Sequence, residues 1–273
     1  MLIGVFDSGF GGLSVLGAIA RALPRADLVY LADTAHVPYG EKPDDFITGR
    51  VLAIGKHLAA TGCDLIVVAC NTATTAAIQA LRDHLPGIPI VGVEPGVKPA
   101  AQTSPSRHIA VLATEATAKS KRLAHLIATH AAHAQVDVVP CPGWATHVET
   151  LQPATMEFRN EVRSRIEPLL AAGVDRIVLG CTHYAFLTPL ITPLLKGQAE
   201  LVDVAEAVAR QVVRLGGERD HVSGEAGDAI DLVIRGRAGD ADELAFREAV
   251  GDPVPRVARD RIAGGDRHAT RLL

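Results

Sequence analysis

Two of the four cysteines, Cys70 and Cys181, end two similar stretches of chain. GCDLIVVACNT (62–72) and GVDRIVLGCTH (173–183) lie 111 residues apart, with Gly, Asp, Ile, Val and Cys recurring in register. The apolar part needs no special reason, because any two buried strands favour β-branched residues. A reactive residue in the same register, followed by Asn71-Thr72 in one copy and Thr182-His183 in the other, is not explained that way. A cysteine with a free pKa near ~8.5 passes between thiol and thiolate close to neutral pH. Two thiols on opposite sides of a carbon acid form a base and an acid. One removes the proton from one face while the other delivers a proton to the opposite face. That is the chemistry of racemisation, and the two groups exchange roles when the direction reverses.

These residues must be held by a regular framework. Short apolar runs at 2–6, 28–31, 65–69, 89–93, 109–112, 136–139, 177–179 and 201–202 show little apolar/polar alternation. Strands buried on both faces of a parallel sheet read this way. Helical patterns fit between them at 12–22, 44–60, 73–84, 115–130, 155–171, 184–195 and 204–214. The β-α-β-α order predicts an α/β fold with crossover helices. A composition break at 95–107 (PGVKPAAQTSPSR) marks a passage between domains. Beyond Leu215 the pattern weakens: 216–228 reads as a loop, 229–234 as a strand, 241–250 as a helix, and the end from Ala263 as a frayed polar tail. The N-terminal segment IGVFDS has a weaker echo in IAVLAT at 109–114, so the chain reads as two halves of one design.

In open parallel sheets, ligands bind beyond the carboxyl ends of the strands. Polar clusters occupy that position at Asp7-Ser8, Cys70-Asn71-Thr72, Thr114 with Thr117, and Cys181-Thr182-His183, with a turn-like fifth at His36-Val37-Pro38-Tyr39-Gly40. A helix start there favours thiolate and offers N–H groups to a carboxylate. Each residue also has a plain structural reading. A lone buried cysteine is more often a small apolar residue, Asp7 suits a turn, and His183 can serve a helix start. Two cysteines in matched positions shift the balance towards function. Asp7 then reads as a carboxylate that tunes a neighbouring acid/base, and His183 as a group that stabilises thiolate or relays a proton. Cys63 reads as structural, and Cys141 as a loop residue with no assigned role.

Composition bounds the remaining possibilities. The 273 residues are 48% hydrophobic and 21% charged, with a formal net charge of −4 and aromatics at only 4%. This is a globular profile with a core of Ala, Val, Leu and Ile, and without the basic footprint of a nucleic-acid binder. The start MLIGVFDSG enters a strand directly, without a secretory leader, and no apolar stretch approaches the ~20 residues that span a bilayer. A cytoplasmic protein with reduced thiols is expected, without contact to nucleic acid or membrane. No C-x-x-C pair suggests a metal site. The segment 7–14 departs from G-x-G-x-x-G at Ser14. A thiol phosphatase would want Arg six residues after its cysteine, where Ala76 and Leu187 stand. The lysines lie away from the strand ends, which argues against a Schiff-base cofactor. No metal and no cofactor are expected. A carbanion formed without a cofactor needs fixed donors around the substrate carboxylate. Ser8, Asn71, Thr72, Thr114, Thr117 and Thr182 offer such groups without a charge.

The segments IGVFDSGFGGLSV (3–15), LADTAHVPYG (31–40), VVACNTAT (67–74), GVEPGVKPA (92–100), TEATAKS (114–120) and IVLGCTHY (177–184) resemble the aspartate/glutamate racemase superfamily. The match runs over about the first 215 residues, and DSG-x-GG with DTA-x-VPYG resembles its glutamate racemase branch. The resemblance implies two pseudo-symmetric, doubly wound α/β domains with largely parallel sheets facing each other across a cleft: 1–96 with 211–273 carrying Cys70, and 97–210 carrying Cys181. It implies cofactor-independent interconversion of L- and D-glutamate for peptidoglycan synthesis, hence cell-wall biogenesis and cell shape, and a homodimer. By the same resemblance Cys70 deprotonates D-glutamate with help from Asp7, and Cys181 deprotonates L-glutamate with help from His183. Asp7, Ser8, Tyr39, Gly40, Asn71, Thr72, Thr114, Thr117, Thr182, His183 and Glu149 would contact substrate, Glu149 standing near the second cysteine. Three stretches depart from the family pattern: CPGWATHVE with Trp144 and His147, LVDVAEAVA after Asp203, and the tail beyond 215.

Rival readings keep some of these residues and drop others. A racemase for aspartate or another acidic amino acid keeps both cysteines. A related decarboxylase needs only one. A thiol hydrolase would use Cys181 with His183 and make Cys70 dispensable, and a ligand-binding domain would need neither.

Overall fold

A computed structural model describes residues 1–151 and 154–217, together with the strands Ile230–Ile234, Val257–Arg261 and His268–Leu272. The backbone divides into two compact units, Met1–Val93 with Ala205–Leu273, and Glu94–Val204.

The first unit begins with β1 (Leu2–Asp7), α1 (Leu13–Ala22), β2 (Asp27–Ala32), α2 (Asp44–Ala60), β3 (Leu65–Val68), α3 (Asn71–His84) and β4 (Ile90–Gly92). The second contains α4 (Val97–Thr103), β5 (His108–Ala113), α5 (Glu115–Ala118), α6 (Lys121–His130), β6 (Gln135–Pro140), α7 (Trp144–Glu149), α8 (Met156–Ala171), β7 (Arg176–Leu179), α9 (Thr188–Leu195) and β8 (Glu200–Val202). The chain then returns to the first unit as α10 (Ala205–Gly217), β9 (Ile230–Ile234), β10 (Val257–Arg261) and β11 (His268–Leu272).

The two sheets share one plan. The seven-stranded sheet has the order β10-β11-β9-β2-β1-β3-β4, and the four-stranded sheet β6-β5-β7-β8. In each, the unit's first strand lies between its second and third, all parallel. The chain therefore reverses its direction of travel across the sheet beside the first strand, where open α/β sheets leave a crevice at the strands' carboxyl ends. The expected α/β architecture with largely parallel sheets is present, and the repeat seen in the sequence is a repeat of topology.

Alternation along β5 explains its layering. Ala110 and Leu112 join a cluster with Val162, Ile166 and Leu169 of α8 and Ile191 of α9. Ile109, Val111 and Ala113 join another with Val97 and Ala100 of α4 and Leu123 of α6. In the first unit, α2 and α3 bury Ile47, Val51, Ile54, Ala77 and Leu81 against Phe6, Leu31, Ile66 and Val68. Strands covered on both faces have no polar alternate positions, which is why their sequences read as continuous apolar runs.

Several elements differ from expectation. The helix expected at 115–130 breaks after Ala118, because Ser120 caps a new helix: its Oγ accepts the Leu123 N–H at 3.1 Å. The stretch expected as helix at 184–195 opens with a 3-10 turn, Thr182–Leu187, before α9. Part of the composition break at 95–107 is helical, as α4. Strand β11 pairs with β9 and β10 where a frayed tail was expected. The helix expected at 241–250 lies outside the described residues. No helix among the described residues is long and apolar enough to cross a membrane.

One glycine is required by close approach of backbone. A Cβ on Gly180 would stand 2.6 Å from the Leu112 carbonyl oxygen of the adjacent strand. Backbone in a sheet cannot yield cheaply. Gly180→Ala is expected to lose about 1–3 kcal/mol of stability, read as a lower urea midpoint with unchanged slope. An unchanged midpoint would contradict the packing at this strand end.

Candidate active site

Each unit places a thiol beyond the carboxyl end of its third strand, beside the end of its first. In the first unit β1 ends at Asp7, and β3 leads through Ala69 to Cys70. Their parallel pairing brings Asp7, Ser8 and Cys70 to one end of the sheet. The Cys70 Sγ lies 3.7 Å from the Ser8 Oγ, which lies 3.2 Å from an Asp7 carboxylate oxygen. Asp7 also accepts the Ser8 and Gly12 N–H groups at 2.6 and 2.5 Å. Gly12 must be small for this contact, since a Cβ there would meet the Asp7 Cβ at 2.7 Å. Cys70 caps α3, accepting the Ala73 N–H at 3.4 Å. A sulfur that accepts a helix-start N–H is favoured as an anion.

The residues after Cys70 are buried but not all satisfied. Asn71 is 2% exposed, and neither atom of its side-chain amide has a partner among the described residues. Buried amides are normally paired, so this one keeps its donor and acceptor capacity unused among the described residues. Thr72 is buried beside it.

Tyr39 is held by residues to which the sequence reading assigned no role. Its hydroxyl donates to Asp33 at 2.7 Å, and Arg50 clamps the same carboxylate with bonds of 2.8 and 2.7 Å. His36 adds a contact of 3.2 Å. Burial pushes the Asp33 carboxyl up, but the bonds from Arg50 and Tyr39 and the Arg50 charge outweigh it and hold the group below its usual range. Burial raises the Tyr39 phenol above its ordinary value, and the charges of Asp33 and, more weakly, Cys70 add to the rise. Tyr39 is therefore a neutral donor whose environment includes the Cys70 sulfur. A charged residue directly after β2 was the available signal for Asp33, as a charged last residue of β1 was for Asp7. Gly40 lies in the same 3-10 turn, Tyr39–Glu41.

The second unit supports its thiol differently. The Cys181 Sγ lies 3.8 Å from Nδ1 of His183, whose Nε2 lies 2.7 Å from a Glu149 oxygen on α7. Both partners are buried, and Thr182 is buried between them in sequence. At the end of β5, Thr114 donates to the Thr117 Oγ1 at 3.1 Å and accepts the Thr117 N–H at 3.3 Å. Glu149 was known only through family resemblance, because α7 lies where the sequence shows a loop.

The other two cysteines differ in character. Burial raises the Cys63 thiol to about 11, helped by the charge of Asp64. Burial raises Cys141 to about 12. Both are neutral thiols near pH 7 and therefore poor nucleophiles. No cluster of three or more His, Cys, Asp or Glu suited to a metal ion occurs among the described residues.

Residues 3–212 match the Asp/Glu/Hydantoin racemase family. The glutamate racemase of Ectopseudomonas mendocina (strain ymp) is 47% identical over 230 residues, spanning 83% of this chain and 86% of that protein. Among solved structures, Escherichia coli glutamate racemase, in complex with L-glutamate and the activator UDP-MurNAc-ala, is 31% identical with a TM-score of 0.76, covering 91% of this chain and 92% of that one. The Bacillus anthracis isoform RacE1 is 27% identical with a TM-score of 0.79, covering 90% and 92%.

Proposed function

This chain belongs to the Asp/Glu/hydantoin racemase family and is an isomerase, and we propose that it is a glutamate racemase that works with two cysteine bases, Cys70 and Cys181. The observation that carries the reading is the repeated half-site. Two sheets whose first four strands follow the same order each place a thiol at the same topological position. Acting on one glutamate, the two thiols would address opposite faces of its α-carbon.

In this reading Cys70 takes the α-proton of D-glutamate and Cys181 that of L-glutamate. The opposite thiol supplies the proton that completes inversion. Asp7 acts on Cys70 through Ser8, and Glu149 acts on Cys181 through His183. Electrons left on the α-carbon pass into the adjacent carboxylate, whose growing charge must be met by fixed donors. Asn71, with its unpartnered amide, and Ser8, Thr72, Thr114, Thr117 and Thr182 supply them, along with backbone N–H groups at Tyr39-Gly40. No cofactor takes part in this scheme. A homodimer working in the cytoplasm and supplying D-glutamate to peptidoglycan completes the proposal.

A second reading has one specific observation in its favour. Cys181, His183 and Glu149 form the thiol–imidazole–carboxylate line that a thiol hydrolase uses. A hydrolase has no need of Cys70, Ser8 and Asp7 built to the same plan. One incubation separates the two. Pure L-glutamate with the protein in heavy water is expected to lose optical rotation, and each molecule inverted is expected to carry one solvent deuteron at the α-carbon. Folded protein that produces neither change would sink the glutamate reading.

A further inference from the structure

The helix that carries Glu149 is too short to hold itself. α7 has 6 residues, against the ~12–15 that an isolated helix needs to persist in water. What orients it is its first residue. The Trp144 indole is fully buried, edge-on to Tyr184 with centroids 5.3 Å apart and to Phe158 of α8 at 6.3 Å. Its N–H donates to Glu161 of α8. The other Glu161 oxygen accepts from Arg165 Nε at 3.0 Å, and Arg165 Nη1 donates to the Pro140 carbonyl at the end of β6, also at 3.0 Å. One turn further along α7, His147 stacks on Phe158 with centroids 3.6 Å apart.

The same indole packs on the chain neighbour of the imidazole. Tyr184 follows His183 in the chain, and its hydroxyl donates to the Cys141 carbonyl at 3.1 Å. Charges of Cys181, Cys141, Glu161 and Arg165 all act on the Tyr184 ring. His183 itself faces Cys181 through Nδ1 and Glu149 through Nε2. Both ends of the Glu149–His183 bond thus depend on Trp144: Glu149 through its helix, His183 through its neighbour.

We propose that Trp144, Glu161 and Arg165 are positioning residues that hold α7 so that Glu149 meets Nε2 of His183 and leaves Nδ1 facing the Cys181 sulfur. An imidazole nitrogen bonded to a carboxylate carries the proton. In the neutral ring Nδ1 is then the acceptor, the form able to take a proton from the thiol. The contribution to turnover rests on the racemase reading above, whereas the effect on the thiol does not.

The test uses the full chain and two readouts. Trp144→Phe keeps an aromatic ring and removes the N–H. Glu161→Gln keeps the shape and removes the charge. Iodoacetamide labelling of Cys181 and Cys70 is followed across pH by mass spectrometry, and kcat and KM are measured with L-glutamate. Each variant is expected to slow Cys181 labelling near neutral pH, alter its pH profile, and lower kcat about tenfold with KM within about twofold, the scale of losses from outer-shell partners. Labelling of Cys70 should not change. In a Glu149→Gln background neither variant should add a further loss, because all act through one bond. Equal losses in both backgrounds, or unchanged Cys181 labelling in folded variants, would overturn the proposal. Should Trp144→Phe not fold, Glu161→Gln decides alone. If the unaltered protein does not racemise glutamate but Cys181 labelling follows this pattern, the racemase reading fails and the positioning role stands.

Discussion

Cys70→Ala and Cys181→Ala are each expected to lose glutamate racemisation by roughly a thousandfold, in the range for removal of a general acid or base. The loss must be equal in both directions. Enantiomers have the same free energy in an achiral solvent, so kcat/KM for L and D substrates stays equal in any variant. The two variants should differ in the half-reaction that survives. Cys181→Ala keeps the base assigned to D-glutamate, and Cys70→Ala keeps the base assigned to L-glutamate. Any slow α-proton exchange with heavy water should therefore be confined to D-glutamate in the first variant and to L-glutamate in the second, each with retained configuration. Exchange of the opposite enantiomer would reverse the assignment of bases. Full racemisation by either variant would end the two-base mechanism, and unimpaired Cys70→Ala would favour the hydrolase.

The second large effect is expected from Asp33→Ala. Asp33 is fully buried and carries Tyr39, both arms of Arg50 and a contact to His36. Removing it leaves a partly buried guanidinium and a buried phenol without their acceptor. Breaking such a pair costs about 3–5 kcal/mol when both charges are deeply buried. Arg50 keeps some access to water, so the low end applies. A loss of about 3 kcal/mol corresponds to a Tm lower by roughly 5 °C for a chain of this size. Asp33 also predicts the acid limb of stability. Its carboxyl is held below its usual range in the folded protein. The stabilisation is therefore present above the unfolded carboxyl's pKa of ~3.9 and lost as pH falls through the lower folded value. Asp33→Ala should flatten that limb in acid-unfolding curves. A variant with unchanged Tm and an unchanged acid limb would show that the cluster contributes nothing to stability.

Much of this was legible before any coordinates. The continuous β-branched runs marked the strands because parallel strands covered on both faces have no solvent side. The repeated Gly-x-Asp…Cys pattern marked corresponding strands, since it spans the turn entering the strand as well as the residue leaving it. What the sequence hid was anything set by contacts distant along the chain. Ser120 was an ordinary helix-cap signal inside a pattern otherwise continuous enough to read as one helix. α7 could not be seen from periodicity, because six residues hold fewer than two turns. Asp33 and Arg50 are 17 residues apart on a strand end and a helix, and nothing local announces their bond. The candidate residues read from local pattern were those at strand ends; those supplied by a loop or a helix flank needed the family resemblance or the fold.

The strand order shared by the two sheets bears on handedness. A reaction whose substrate and product are mirror images would be matched best by surroundings that are themselves mirror images. No chain of L-residues can build a reflection, and a repeated fold supplies only a second copy of the same hand. The copies here already diverge: Cys70 leans on a hydroxyl and a helix start, Cys181 on an imidazole. Two enantiomeric reagents of equal intrinsic reactivity should therefore modify the two thiols in different ratios. A chiral alkylating agent, offered as each enantiomer in turn, would label one cysteine ahead of the other.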